Sequence, residues 1–97
     1  MSDLAKIFKA LGDPTRLAIF ELVRRCGPDG CTDDEAAGSL SQIAARFDLS
    51  LSTVSHHVKE LRGAGLIRCE KRGQRLFCSV APGVLEVLEQ FLAGVEA

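Results

Sequence analysis

Four cysteines, two adjacent histidines and a short run of hydroxyl side chains are the groups in this 97-residue chain whose types could do chemistry. Cys26 and Cys31 lie five residues apart in a stretch rich in Asp and Gly. Soft thiolates of this kind hold arsenite, Hg²⁺ or Zn²⁺. Two thiolates do not complete a tetrahedral site, although Asp33, Asp34 or Glu35 could add oxygen ligands. The spacing matches no strong metal motif, so a loop with two incidental cysteines stands beside the metal reading. Cys69 and Cys78 sit in two segments of alternating polarity and are expected to face each other across a hairpin. They read either as a dithiol open to oxidation or as two small buried apolar residues. His56 and His57 are neighbours on a helical pattern, so they point about 100° apart and cannot converge on one substrate. No Ser-His-acid order, phosphate loop or metalloprotease pattern is present, and the sequence does not read as an enzyme.

The hydroxyl run belongs to a helix expected from a cap at Ser50 to about Arg62, stopping at Gly63 or Gly65. On a wheel of that helix, Leu51, Val54, Val58 and Leu61 fall within about 80° and form the stripe to be buried. Ser52, His56, Lys59 and Glu60 lie opposite, flanked by Thr53 and Ser55. His57 falls at the edge of the stripe, where a side chain packs or orients. Small hydrogen-bonding groups near a helix N-terminus allow it to enter a major groove and meet base edges or phosphates. A merely solvated polar face has the same composition. The basic segment C-terminal to the helix separates the two readings.

Residues 66–80 alternate at period two around Gly73-Gln74, which predicts a hairpin pairing Cys69 with Cys78, Ile67 with Val80 and Lys71 with Leu76. Its tip would display Arg72, Gln74 and Arg75, suited to phosphate or a minor groove. Ahead of the polar helix, Leu40, Ile43, Ala44 and Phe47 predict a short helix capped by Ser41, joined to it through the turn Asp48-Leu49-Ser50. Two short helices about a tight turn form a helix-turn-helix arrangement. A first helix is expected from Leu4, Ile7, Phe8 and Leu11 on one face. A second starts at Asp13 as cap with Pro14 in the first turn. It is apolar on most sides through Leu17, Ile19, Phe20, Leu22 and Val23, hence central, and stops at Gly27-Pro28. Residues 26–38 read as a loop. A last helix, opened by Pro82, carries Val84, Leu85, Val87, Leu88, Phe91, Leu92 and Val95 over too wide an arc for one core contact, so a second chain is expected against it.

With 97 residues and 46% hydrophobic content, residues 1–97 are expected to form a single domain. Net charge is −1, but Thr53–Arg75 holds Lys59, Arg62, Arg68, Lys71, Arg72 and Arg75 against Glu60 and Glu70. A local basic patch on a nearly neutral chain predicts one face that meets phosphate. No apolar run is long enough to span a membrane, no signal peptide is read at the N-terminus, and the thiols are therefore expected in the cytoplasm.

Taken in order, Phe8-Lys9-Ala10-Leu11-Gly12-Asp13-Pro14-Thr15-Arg16-Leu17, Leu51-Ser52-Thr53-Val54-Ser55-His56-His57-Val58-Lys59-Glu60-Leu61, Ala64-Gly65-Leu66-Ile67 and Arg72-Gly73-Gln74 resemble the opening motif, recognition helix and wing of the ArsR/SmtB family. The resemblance covers nearly the whole chain. It implies a mostly α fold with a β-hairpin wing: a winged helix-turn-helix of four helices, a hairpin and a fifth helix. It also implies a homodimer formed through the first and last helices. DNA contacts are implied at Ser52, Ser55 and His56, with help from Thr53, Ser41, Gln42, Arg72 and Arg75. Lys59 and Gln74 join these from the bottom-up reading. Members of the family usually repress transcription at an operator, expected here as an inverted repeat, and release it when an inducer binds. The family's thiolate site is a Cys-x-Cys in the third helix, and none occurs between Leu40 and Phe47. Its other site uses His in the last helix, and none occurs there. An inducer would then be a thiophilic metal or metalloid ion, or an oxidant, acting at Cys26 and Cys31 or at Cys69 and Cys78. The alternatives are a protein–protein interaction module and a constitutive DNA-binding regulator with no sensor.

Overall fold

Asp13-Pro14 separates the first two helices of the structure, a computed structural model that describes residues 2–26, 40–73 and 75–96. Helix α1 spans Ser2–Leu11 and α2 spans Pro14–Cys26. The Asp13 carboxylate accepts the Arg16 backbone N–H at 2.9 Å, capping α2 as expected. This hydrogen bond, with the Arg16 charge nearby, lowers the Asp13 pKa below its ordinary value. Arg16 in turn donates from Nε to the Ala10 carbonyl at 2.7 Å, tying α2 to the last turn of α1. Ile19, Phe20 and Val23 are buried, so α2 is central, while Leu17 stays exposed.

Helices α3 (Leu40–Phe47) and α4 (Leu51–Gly63) meet across a turn with a left-handed residue in it. Asp48 has φ +53°, and two hydrogen bonds define the geometry: Leu49 N–H to Ala44 C=O at 2.9 Å and Asp48 N–H to Ala45 C=O at 3.3 Å. These close α3 in a Schellman motif, with an acid where glycine is usual. The same device ends α4. Gly65 at φ +79° donates to the Arg62 carbonyl at 3.0 Å, and Leu66 donates to the Leu61 carbonyl at 3.0 Å. Leu61 and Leu66 are both fully buried, which supplies the apolar contact of that motif.

Strands β1 (Ile67–Arg72) and β2 (Arg75–Val80) pair antiparallel in the register read from the sequence, with Ile67 opposite Val80, Cys69 opposite Cys78 and Lys71 opposite Leu76. Gly73 takes φ +62° at the turn, a conformation that favours glycine. The Ala81 N–H closes the hairpin base on the Leu66 carbonyl at 2.9 Å. Helix α5 spans Val84–Glu96. One core runs through these elements: Ile7 and Ala10 of α1, Ile43 of α3, Val54, Val58 and Leu61 of α4, Ile67 and Cys78 of the hairpin, and Val84 of α5. The architecture is the expected winged helix-turn-helix.

Four local expectations are corrected. Phe8, grouped with the apolar face of the first helix, is 43% exposed, and Ala10 takes the inward place beside Ile7. The Phe8 ring instead meets Phe91 of α5, centroids 5.3 Å apart. Leu51, assigned to the buried stripe of α4, is 54% exposed, because a residue in a helix's first turn lies beyond the edge of the core. Ser41 stands inside α3 rather than capping it, since the helix already includes Leu40. Pro82 does not open α5. Gly83, at φ +81°, turns the chain first, and the helix begins at Val84.

Candidate nucleic-acid interface

Helix α4 is pinned by Val54, Val58 and Leu61, which leaves a continuous polar face outward. Ser52, Thr53, Ser55, His56 and Lys59 are all exposed on it. The Ser50 hydroxyl caps the helix by accepting the Thr53 N–H at 3.2 Å, and it lies 3.2 Å from the Ser52 hydroxyl and 2.8 Å from that of Thr53. Three hydroxyls are thus gathered at one exposed helix N-terminus. Such an end is suited to a phosphate or a base edge. Ser41 and Gln42 of α3 are exposed as well.

His57 occupies the edge of the buried stripe, as expected. It is half-buried, and its Nδ1 lies buried without a hydrogen-bond partner among the described residues. Its ring is tilted 58° to that of His56 at 5.8 Å. It is one of the groups that lower the Asp13 pKa, after the Arg16 backbone N–H and the Arg16 guanidinium, so α4 lies near the α1–α2 turn.

The sequence reading passed over Lys6, Lys9 and Arg16. With Lys59 and Arg62 of α4 they line a groove of about 810 Å³, in which Glu60 is the only acid among the described lining residues. The positive character beside α4 is therefore drawn from three helices. The i, i+3 spacing of Lys6 and Lys9 on one side of α1 was the available signal.

In the hairpin, Arg72 and Arg75 form the closing pair at the tip. Their side chains, and Gln74 altogether, lie outside the described residues. Cys69 is half-buried and Cys78 buried, and their Sγ atoms are 3.5 Å apart. The hydrogen bond from Cys78 and the nearby Arg62 guanidinium bring the Cys69 thiol down to about 7. The same partnership and burial push Cys78 well up. The two thiols share one readily lost proton, and it leaves from Cys69, the more exposed and closer to Arg62.

Cys31 and the Cys26 side chain lie outside the described residues. Among the described residues no three His, Cys, Asp or Glu side chains come together as a metal site. Neither family metal site fits the donors present, because α3 carries no cysteine and α5 no histidine.

A family model described as a helix-turn-helix domain matches residues 11–70. The chain is 34% identical to the transcriptional repressor SdpR of Bacillus subtilis over 80 residues, covering 82% of this chain and 78% of that protein. It is 31% identical to the arsenical resistance operon repressor of Staphylococcus xylosus over 90 residues, covering 93% of this chain and 77% of that one. Among solved structures, the ArsR family transcriptional regulator RHA00566 superposes with a TM-score of 0.72 at 29% identity, over 98% of this chain and 88% of the other. A homodimeric winged helix-turn-helix DNA-binding domain from Mycobacterium bovis superposes with a TM-score of 0.69 at 24% identity, over 98% and 79%.

Proposed function

This chain belongs to the ArsR family of winged helix-turn-helix transcriptional repressors and is a DNA-binding regulator, and on that premise we propose that it works as a homodimer on an inverted-repeat operator. The observation that carries this reading is the α4 face: a polar, hydroxyl-rich surface held rigidly on three buried residues. Ser52, Ser55 and His56 read bases in the major groove, supported by Thr53, Lys59, Ser41 and Gln42, while Arg72, Gln74 and Arg75 reach backbone or minor groove from the wing. Residues 1–97 act as one domain. Membership of a transcription-regulator family supports a place in the cytoplasm, where the DNA is; among the described residues no helix is long and apolar enough to cross a membrane.

Dimerisation is supported by the apolar side chains that the single chain leaves in water. Phe8 of α1 and Leu85, Val87, Phe91 and Leu92 of α5 are exposed, and Phe8 and Phe91 touch. A two-fold pairing of these helices would cover them and set two copies of α4 about one DNA turn apart. The M. bovis domain of the same fold is a homodimer.

Release from the operator is assigned to a thiol-directed inducer. A relative serves arsenical resistance, and Cys69 and Cys78 are a described pair of close thiols. Two sulfurs are too few for a tetrahedral metal site. Reaction at the pair is therefore the better-supported route than a bound divalent ion.

Fluorescence anisotropy of the reduced protein on DNA from its own upstream region, at fixed salt, tests the reading. Binding that depends on half-site spacing, with a light-scattering mass of twice the chain, is expected. A stable monomer without specific binding would make the chain a protein-interaction module instead. Specific binding indifferent to every thiol reagent would make it a constitutive regulator.

A further inference from the structure

Cys69 and Cys78 sit at a position of the hairpin that favours closure. Counting outward from the closing pair Arg72–Arg75, hydrogen-bonded and non-hydrogen-bonded pairs alternate, which places Cys69–Cys78 at a non-hydrogen-bonded pair. At such pairs the Cα atoms are about 4.5 Å apart and the side chains closest, inside the roughly 4.4–6.8 Å range that a disulfide spans. The sulfurs already lie 3.5 Å apart. Cys69 is partly open to solvent, while Cys78 is buried behind it. One thiol is placed to react and the other to resolve.

We propose that Cys69 and Cys78 form a hydroperoxide-reactive site in the wing, which closes to a cross-strand disulfide and weakens operator binding. The effect on DNA rests on the repressor reading above, whereas the thiol chemistry does not. The Cys69 thiolate, favoured by Arg62, attacks one peroxide oxygen. The S–O bond forms, the O–O bond breaks, and hydroxide leaves and is protonated to water. The Cys78 sulfur then attacks the Cys69 sulfenic acid, the S–S bond forms, and the sulfenyl oxygen departs as water with the Cys78 proton. Two thiols are oxidised by two electrons, and the peroxide is reduced to water.

Two consequences reach the DNA-binding surface. Drawing the sulfurs from 3.5 Å to a bond of about 2.0 Å turns both side chains and locks the two strands together three residues from the Arg72–Arg75 tip. It also removes the thiolate that faces Arg62 in the last turn of α4. The wing and the recognition helix are thereby disturbed from one site.

The experiment treats the full-length reduced protein with hydrogen peroxide and measures two things in parallel: disulfide position by peptide mapping, and operator affinity by anisotropy. A Cys69–Cys78 disulfide and a loss of affinity of about tenfold or more are expected, both reversed by dithiothreitol. Cys69→Ser and Cys78→Ala should each bind the operator as the reduced parent does and lose the response to peroxide. That parent-like binding shows that the variants are folded. The double variant Cys26→Ser, Cys31→Ser should keep the response. Absence of the Cys69–Cys78 disulfide, a response that persists in Cys69→Ser, or an affinity unchanged by a fully formed disulfide would each overturn the proposal. Failure of the reduced protein to bind any upstream DNA, with the disulfide still forming, would instead overturn the repressor reading.

Discussion

Helices α4 and α5 are each 13 residues long, and each is fastened to the same core, yet they present opposite chemistry to the outside. Helix α4 buries Val54, Val58 and Leu61 and exposes Ser52, Thr53, Ser55, His56 and Lys59. Helix α5 buries Val84, half-buries Leu88, and exposes Leu85, Val87, Phe91 and Leu92. The buried side of a helix states only that it is packed, and the exposed side states what it still has to meet. Polar hydrogen-bonding groups on a rigid helix suit a hydrated, charged partner. Leucine and phenylalanine side chains left in water suit another apolar surface. On the function proposed above, the contrast divides the work of the molecule into reading DNA at one end and joining a second copy at the other.

The strongest way to break that division is to charge the α5 face. Phe91→Glu should leave the helical circular dichroism intact, give a monomer by light scattering, and lower operator affinity about hundredfold or more through loss of the second half-site. A dimer of undiminished mass would remove α5 from the interface. Leu61→Ala acts on the other helix at its fastening point. As Leu61 is fully buried, denaturant unfolding should show a loss of about 2–5 kcal/mol. A loss below about 1 kcal/mol would mean that α4 is not held by this stripe.

Smaller changes sharpen the comparison. Ser50→Ala removes the cap of α4, where its hydroxyl accepts the Thr53 N–H, and should cost about 1 kcal/mol of stability. Operator affinity should fall as well, since the same hydroxyl organises Ser52 and Thr53. Affinity that matches the parent at a temperature where both proteins are folded would separate the cap from the binding surface. The smallest effect concerns Asp13, whose pKa is depressed chiefly by the Arg16 backbone N–H and also by the charges of Arg16 and His57. A depressed carboxylate adds stability above its ordinary value of 3.8, and that contribution is lost as pH falls through the lower folded value. Asp13→Asn keeps a capping oxygen and should flatten the acid limb of the stability profile. An unchanged acid limb would show that other carboxylates dominate it.

Much of the local structure was legible because it is local. The alternation in residues 66–80 with Gly73 at the turn predicted the observed register, since a slip of one residue would send Ile67, Cys69, Cys78 and Val80 to the wrong face. Ser50 and the α4 stripe were legible from a cap residue followed by a 3.6-residue period. The left-handed turn at Asp48 was not. An acid tolerates that conformation but does not announce it as glycine does. Phe8 was also misplaced, because an apolar residue turned to the core and one turned to the exposed Phe91 of α5 fall on the same helical period.

By itself, the sequence determined the order of helices and hairpin, the caps at Asp13 and Ser50, the hairpin register and the polar outer face of α4. All of these follow from hydrogen bonds and side-chain periods within about a dozen residues. Only the tertiary structure decided which apolar residues were surplus, that Lys6, Lys9 and Arg16 join Lys59 and Arg62 around one groove, and that Arg62 stands near the Cys69–Cys78 pair. Those relations join segments far apart in the chain. They depend on the angles at which packed helices cross and on the direction each side chain takes once the core is full, which no spacing along one strand or helix encodes.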